Sequence, residues 1–220
     1  MQNQTAFIFD LDGVIVDTAK FHFLAWQKLA NKIGIDFSEK ENEQLKGVSR
    51  VKSLEKILSW GNKTLSDQEF QRLMEEKNQD YLNYVQQMSK DDILPGVKSF
   101  LDELKSKHHP IALGSASKNA KTILKCVDLN DTFDAIVDGN EVTKAKPNPE
   151  VFLKAAKLLN TEPQDCFVFE DSIAGIKAAN VGGMISIGIG DKETLREADF
   201  CFKNFNEFDY QFFKNIKSKT

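Results

Sequence analysis

An α/β fold, a doubly wound parallel sheet with an inserted α-helical cap, is predicted by three features of this 220-residue chain. Beyond Pro95, short apolar strands alternate with amphipathic helices, the pattern of a parallel sheet covered on both faces. The opening run TAFIF is also a strand. Between these parts, residues 16–94 hold no proline and only three glycines, whereas all five prolines lie at or beyond position 95, so the intervening stretch reads as helical. The expected division is a core of residues 1–16 and 90–220, interrupted by a cap of residues 17–89.

Each element has its own signal. The first cap helix begins near Asp17, with Phe21, Ala25, Leu29 and Ile33 as its apolar stripe. Ser38 with Glu41 and Ser66 with Glu69 form capping boxes, each serine serving a first-turn amide and each glutamate reaching back. Apolar residues at 97, 100, 101 and 104 give a helical rhythm, and PIALGS follows as a strand. NAKTILKCV is helical and FDAIVD a strand. NPEVFLKAAKLL is a helix opened by Asn148 as cap, with Pro149 at the first position. CFVFED, AGIKAANV and GMISIGI continue as strand, helix and strand.

Composition excludes several classes of function. With 33 acidic and 29 basic residues the formal net charge is −4, so no global positive field draws nucleic acid or an anionic membrane. Cys126, Cys166 and Cys201 are scattered and form no CxxC pair, which suits reduced thiols. No signal-like start and no membrane-spanning run are read, and the expectation is a cytoplasmic monomer without nucleic-acid or membrane partners.

Ligands of such sheets bind at the carboxyl ends of the strands. Three predicted strands end in chemically useful groups: Asp10 and Asp12, Ser115, and Glu170 with Asp171. Residues two apart on extended chain point the same way, so Asp10 and Asp12 can face one small volume. Clustered carboxylates without histidine or cysteine favour Mg²⁺. Such a cluster suits phosphate chemistry, for which Lys146 and Ser115 supply a cation and a hydroxyl at the same rim. Taken singly, each group has an ordinary use as a solvated loop, a helix cap or a surface lysine. Their order and placement at strand ends point to one site.

DLDGVIVDT, the strand-borne Ser115, Lys146 before Pro147, and EDSIAGIKAA resemble the four motifs of the haloacid dehalogenase superfamily of phosphotransferases. FHFLAWQKLA, EQLKGVSR, EKN and GSASKN extend the resemblance, through nearly the whole chain, to sugar-phosphate mutases of that superfamily. The resemblance implies that Asp10 is the nucleophile, and that Asp12 is the general acid and base with its backbone carbonyl on Mg²⁺. It also implies Asp10, Glu170 and Asp171 as side-chain ligands, with Ser115, the Ala116 amide and Lys146 holding the transferring phosphoryl group. A second lysine, Lys144, stands in the same loop, but the motif is carried by the lysine directly before proline.

Substrate binding is expected in the cap. Gly47, Val48, Ser49 and Arg50 resemble the family's specificity loop, where an arginine can grip the distal phosphate bidentately. By the same resemblance Ser53 lies beside this loop, Ser117, Lys118 and Asn119 hold that phosphate from the core, and Lys77 reaches the sugar. Thr18, His22 and Trp26 recur every four residues on one helix face. Trp26 and His22 suit a helical core as well, and the resemblance favours binding. The implied reaction converts β-D-glucose 1-phosphate to D-glucose 6-phosphate through the 1,6-bisphosphate and an aspartyl phosphate. A sugar-phosphate phosphatase of the same superfamily is the alternative. A phospho-accepting receiver would need neither the insert nor a second phosphate grip, and a non-catalytic phosphosugar-binding regulator would not need Asp10, Asp12 and Lys146.

Overall fold

The computed structural model describes residues 4–217; residues 1–3 and 218–220, the ends of the expected core, lie outside it. In chain order the elements are β1 (Ala6–Phe9), α1 (Ala19–Lys32), α2 (Glu39–Glu43), α3 (Arg50–Trp60), α4 (Asp67–Val85), α5 (Val97–Ser106), β2 (Ile111–Gly114), α6 (Ala120–Cys126), β3 (Ala135–Val137), α7 (Glu150–Leu158), β4 (Cys166–Glu170), α8 (Ile173–Val181), β5 (Ile185–Ile189), β6 (Phe200–Phe202) and α9 (Tyr210–Lys217). The sheet runs in the order β3-β2-β1-β4-β5-β6 and every pair is parallel. β1 therefore lies inside the sheet, with Phe9 level with Leu113 of β2 and Phe169 of β4. The carboxyl ends of all three strands open on one rim.

Strand alternation divides bulk unequally between the faces. Phe7, Phe9, Phe167 and Phe169 point to one side, with Phe9 and Phe169 stacked at 4.6 Å and 5°. α5, α6 and α9 cover that side through Phe100, Leu104, Ile123 and Phe213. Ala6, Ile8, Ala112 and Val168 point to the other side, where the smaller bulk accommodates Ala155 and Ala156 of α7 and Ala178 and Ala179 of α8. α1–α4 fall between β1 and β2 and build a separate core from Trp26, Leu29, Leu54, Ile57 and Leu73. The two connections to this helical insert run side by side: Val16 bridges Ile93, the Leu94 amide donates to the Ile15 carbonyl, and Lys20 pairs with Asp92.

Both capping boxes form. α1 starts at Ala19, close to the expected Asp17, with Thr18 at its N-cap; Asp17 Oδ1 accepts the Ala19 amide at 3.2 Å in the turn that leads in. α7 starts one residue late, with Asn148 Oδ1 accepting the Glu150 amide. β6 and α9 were not anticipated. A three-residue strand carries too little periodicity to read, and α9 gains its place from ring contacts such as Phe213 with Phe167 at 5.0 Å. No helix among the described residues is long and apolar enough to cross a membrane.

The stacked phenylalanines hold the central strands to the helices on one face, so Phe169→Ala is expected to lose about 3–5 kcal/mol of unfolding free energy in urea titration. A loss below about 1 kcal/mol would show that the rings contribute little beyond filling space.

Candidate active site

Asp10 follows β1 directly and Glu170 ends β4, so the paired register of these strands sets the two carboxylates at the rim. Asp171 adds a third: one oxygen from each of Asp10, Glu170 and Asp171 lies within 4.8 Å of the others. Lys146 arrives from the loop after β3 through a cis bond to Pro147 and is fully enclosed. Its ammonium donates to Asp10 Oδ1 at 2.5 Å and to Glu170 Oε1 at 2.6 Å. The other Glu170 oxygen accepts the Ser172 amide and hydroxyl, while the Ser172 hydroxyl also caps α8 by accepting the Gly175 amide.

Two glycines make room for this packing. Gly13 has φ +80°, and a Cβ there would fall 2.2 Å from Asp171 Oδ2. At Gly175 a Cβ would come within 1.9 Å of Glu170 Oε1. Neither position can carry a side chain without displacing a carboxylate.

Burial pushes Asp10 up to about 7; Lys146 pulls against this, while Glu170 and Asp12 add to it. Asp171 is held well above the ordinary carboxylate range by burial, Glu170 and Asp10, with Lys46 opposing weakly. Burial disfavours the Lys146 ammonium, yet Asp10 and Glu170 outweigh it and raise its pKa. One ammonium thus leaves the cluster short of positive charge. An all-oxygen donor set with uncompensated negative charge is the chemistry that takes a hard divalent cation, and the residues present fit Mg²⁺.

Asp12 departs from the simple alternation argument. The strand ends at Phe9 and the chain turns at Gly13, so the Asp12 carboxylate leaves the cluster and accepts a short hydrogen bond from the Thr18 hydroxyl. Burial raises its pKa; Thr18 and Lys146 act the other way. Ser115, completely buried after β2, accepts the Ser117 amide. Its hydroxyl closes a local turn, and α6 begins five residues farther on.

A cavity of about 1800 Å³ joins this rim to the insert. Of the sequence-expected residues it is lined by Asp10, Asp12, Thr18, His22, Trp26, Gly47, Val48, Ser49, Arg50, Ser53, Lys77, Ala116, Ser117, Lys118, Asn119, Lys146 and Asp171, with Ser115 and Glu170 packed behind the wall. Ser49 caps α3 by accepting the Lys52 amide, which places Arg50 in its first turn. Asn119 reaches across from the core to donate to Asn78 Oδ1 of α4 at 2.9 Å. Lys46 also crosses the gap, 3.9 Å from Asp171.

Lys77 is enclosed by rings, its ammonium 4.6 Å from Trp26 and 4.7 Å from Tyr81, and it meets His22 Nδ1 at 3.0 Å. Burial and then Arg50 depress its pKa well below the usual lysine value, with Asp12 opposing. His22 is likewise lowered by burial, Lys77 and Arg50. This wall gathers Arg50, Lys77 and His22, and burial drives the last two toward their neutral forms. Tyr81 and Lys46 were not singled out from sequence, although Tyr81 stands four residues after Lys77 on one helix face and Lys46 directly precedes Gly47.

The haloacid dehalogenase-like hydrolase model matches residues 7–189, from β1 through β5 and across the whole insert. The chain belongs to this family. Similar relatives of this dehalogenase-like chain include β-phosphoglucomutase of Bacillus subtilis, 43% identical over 92% of this chain and 90% of that protein. The phosphorylated carbohydrates phosphatase of Thermotoga maritima is 31% identical over 88% and 90% of the two chains. The crystal structure of β-phosphoglucomutase from Clostridium difficile superposes with a TM-score of 0.94 at 44% identity, covering 98% of both chains.

The state of Lys77 can be read through stability. Because its folded pKa is depressed, the unfolded chain binds more protons below the ordinary lysine pKa, and wild-type stability should rise with pH toward that value. Lys77→Met removes this dependence. In urea unfolding between about pH 7 and pH 10, wild type should gain on the variant by up to about 1.4 kcal/mol per pH unit. A constant difference would mean that Lys77 keeps an ordinary ammonium.

Proposed function

We propose that the protein is a phosphosugar mutase that interconverts β-D-glucose 1-phosphate and D-glucose 6-phosphate through β-glucose 1,6-bisphosphate. The observation that carries this reading is the two-ended cavity: a carboxylate cluster with Lys146 at the core rim, and Arg50 with Lys77 on the insert wall. A bisphosphate has two anionic ends and needs both. The similarity to β-phosphoglucomutases supports the reading, and we propose that the insert acts as the cap and that the enzyme works as a cytoplasmic monomer.

In this mechanism Asp12 removes the proton of the free sugar hydroxyl of β-D-glucose 1-phosphate, whose oxygen attacks the phosphorus of phosphorylated Asp10; the bond from phosphorus to the Asp10 oxygen breaks and the bisphosphate forms. The bisphosphate then reorients, and a carboxylate oxygen of Asp10 attacks the phosphorus of its other phosphate. The bond from that phosphorus to the sugar oxygen breaks, Asp12 returns the proton to the leaving oxygen, and D-glucose 6-phosphate leaves with Asp10 again an aspartyl phosphate. The raised pKa of Asp12 favours the protonated form required in this second half. Ser115, the Ala116 amide and Lys146 hold the phosphoryl oxygens, where charge develops. Asp10, Glu170, Asp171 and the Asp12 carbonyl would hold Mg²⁺, which when bound screens the charge of the phosphoryl group. Arg50, Ser117, Lys118 and Asn119 hold the distal phosphate; Thr18, His22, Trp26, Gly47, Val48, Ser49, Ser53 and Lys77 shape the sugar site.

Phosphorus NMR with β-D-glucose 1-phosphate, Mg²⁺ and catalytic bisphosphate should show D-glucose 6-phosphate as the main product. Free phosphate appearing faster than glucose 6-phosphate would establish the phosphatase reading instead. Losing the bidentate grip in Arg50→Ala should lower kcat/KM roughly 10- to 150-fold. Arg50→Lys should recover only part, since an ammonium keeps the charge without the fork.

A further inference from the structure

Among the described residues, one buried side-chain nitrogen or oxygen has no hydrogen-bond partner, the phenol oxygen of Tyr81. Tyr81 lies on α4 with 1% exposure, at the wall of the cavity. Its ring is pinned by the His22 ring at 4.2 Å and by the Lys77 ammonium over its face. An unpartnered buried hydroxyl adds nothing to stability that a phenyl ring would not supply. Burial and then Asp12 hold the phenol well above its ordinary pKa, so it is a neutral O–H able to donate or accept. Thr18 is near enough to influence it, yet the two hydroxyls are not aligned as a hydrogen bond.

Thr18 has the complementary difficulty. Its hydroxyl is completely buried and gives its proton to Asp12. If Asp12 is the general acid and base of the mechanism above, on which this inference rests, its carboxyl must turn to the sugar oxygen. Thr18 then loses an acceptor where water does not reach.

We propose that Tyr81 is a positioning residue for phosphoryl transfer: its hydroxyl accepts the Thr18 hydrogen bond when Asp12 leaves it for the sugar, so that Asp12 changes partners without orphaning Thr18. The unpartnered phenol is the acceptor held ready for that exchange. Tyr81 touches neither phosphorus nor the sugar in this scheme and acts through Thr18 and Asp12.

The test is a double-mutant cycle of Tyr81→Phe and Thr18→Val, assayed with β-D-glucose 1-phosphate, Mg²⁺ and catalytic bisphosphate. Tyr81→Phe should lower kcat roughly 3- to 10-fold, the effect of one neutral hydrogen bond. KM should stay within about twofold and Tm should not fall. In the Thr18→Val background, Tyr81→Phe should cause no further loss, because the exchange is already gone. Multiplying losses would overturn the proposal by showing that Tyr81 acts without Thr18. A raised KM with unchanged kcat would overturn it in favour of a direct sugar contact, and a lowered Tm with unchanged kcat in favour of packing. An Asp12→Asn variant separates the two levels of inference. Wild-type kcat in Asp12→Asn would remove the acid-base reading and this role with it; an inactive Asp12→Asn beside a fully active Tyr81→Phe would remove Tyr81 alone.

Discussion

The Lys146 ammonium sits out of water between Asp10, which follows β1, and Glu170, which ends β4, at 2.5 and 2.6 Å. An ammonium taken from water without such partners would surrender its proton, and the carboxylates without it would be driven to bind protons. The cluster is therefore mutually dependent, and it forms only if three distant chain segments reach one rim. The parallel order β3-β2-β1-β4 achieves this, because it brings the end of β1, the loop after β3 and the end of β4 to the same rim. The lack of side chains at Gly13 and Gly175 follows from the same constraint, since the carboxylates occupy the space a Cβ would need.

Much of this was legible because it is written locally. Strands that lead directly into Asp10 and Ser115 or close on Glu170, the capping serines, and the proline-free insert are short-range patterns, and they appear where expected. What escaped depends on contacts across space. The α9 ring packing joins residues far apart in sequence, and β6 is too short to show a period. Alternation correctly drew Asp12 toward the rim but missed that the strand ends at Phe9, which frees its carboxylate to meet Thr18. Tyr81 could have been marked by its helical spacing from Lys77, but no sequence pattern reports that a hydroxyl is left without a partner.

A net charge of −4 conceals two opposed surfaces. The core rim gathers acidic groups faster than Lys146 neutralises them, whereas the insert wall holds Arg50 and Lys77 beside a His22 that burial keeps neutral. Lys77 resides instead among Trp26, Tyr81 and His22, where ring faces offer a cation partial compensation. Such a wall is poorly satisfied by itself. An anionic ligand between the surfaces would complete it, while a cation at the rim would complete the carboxylates, so the two halves of the cavity call for opposite charges.

Thr18 links these halves mechanically. It stands at the start of α1, immediately beyond the paired connections in which Val16 bridges Ile93, and it holds the Asp12 carboxylate. Any rotation of the insert about those connections displaces the Thr18 hydroxyl relative to the rim, and with it the partner of Asp12. In the arrangement seen here, Asn119 with Asn78 and Lys46 with Asp171 span the gap. The position of the insert and the orientation of Asp12 are therefore not independent variables. If Asp12 is the proton-transfer group of the proposed mechanism, it is available to the substrate according to where the insert stands, and closure of the cavity is then part of the acid-base chemistry rather than a cover over it.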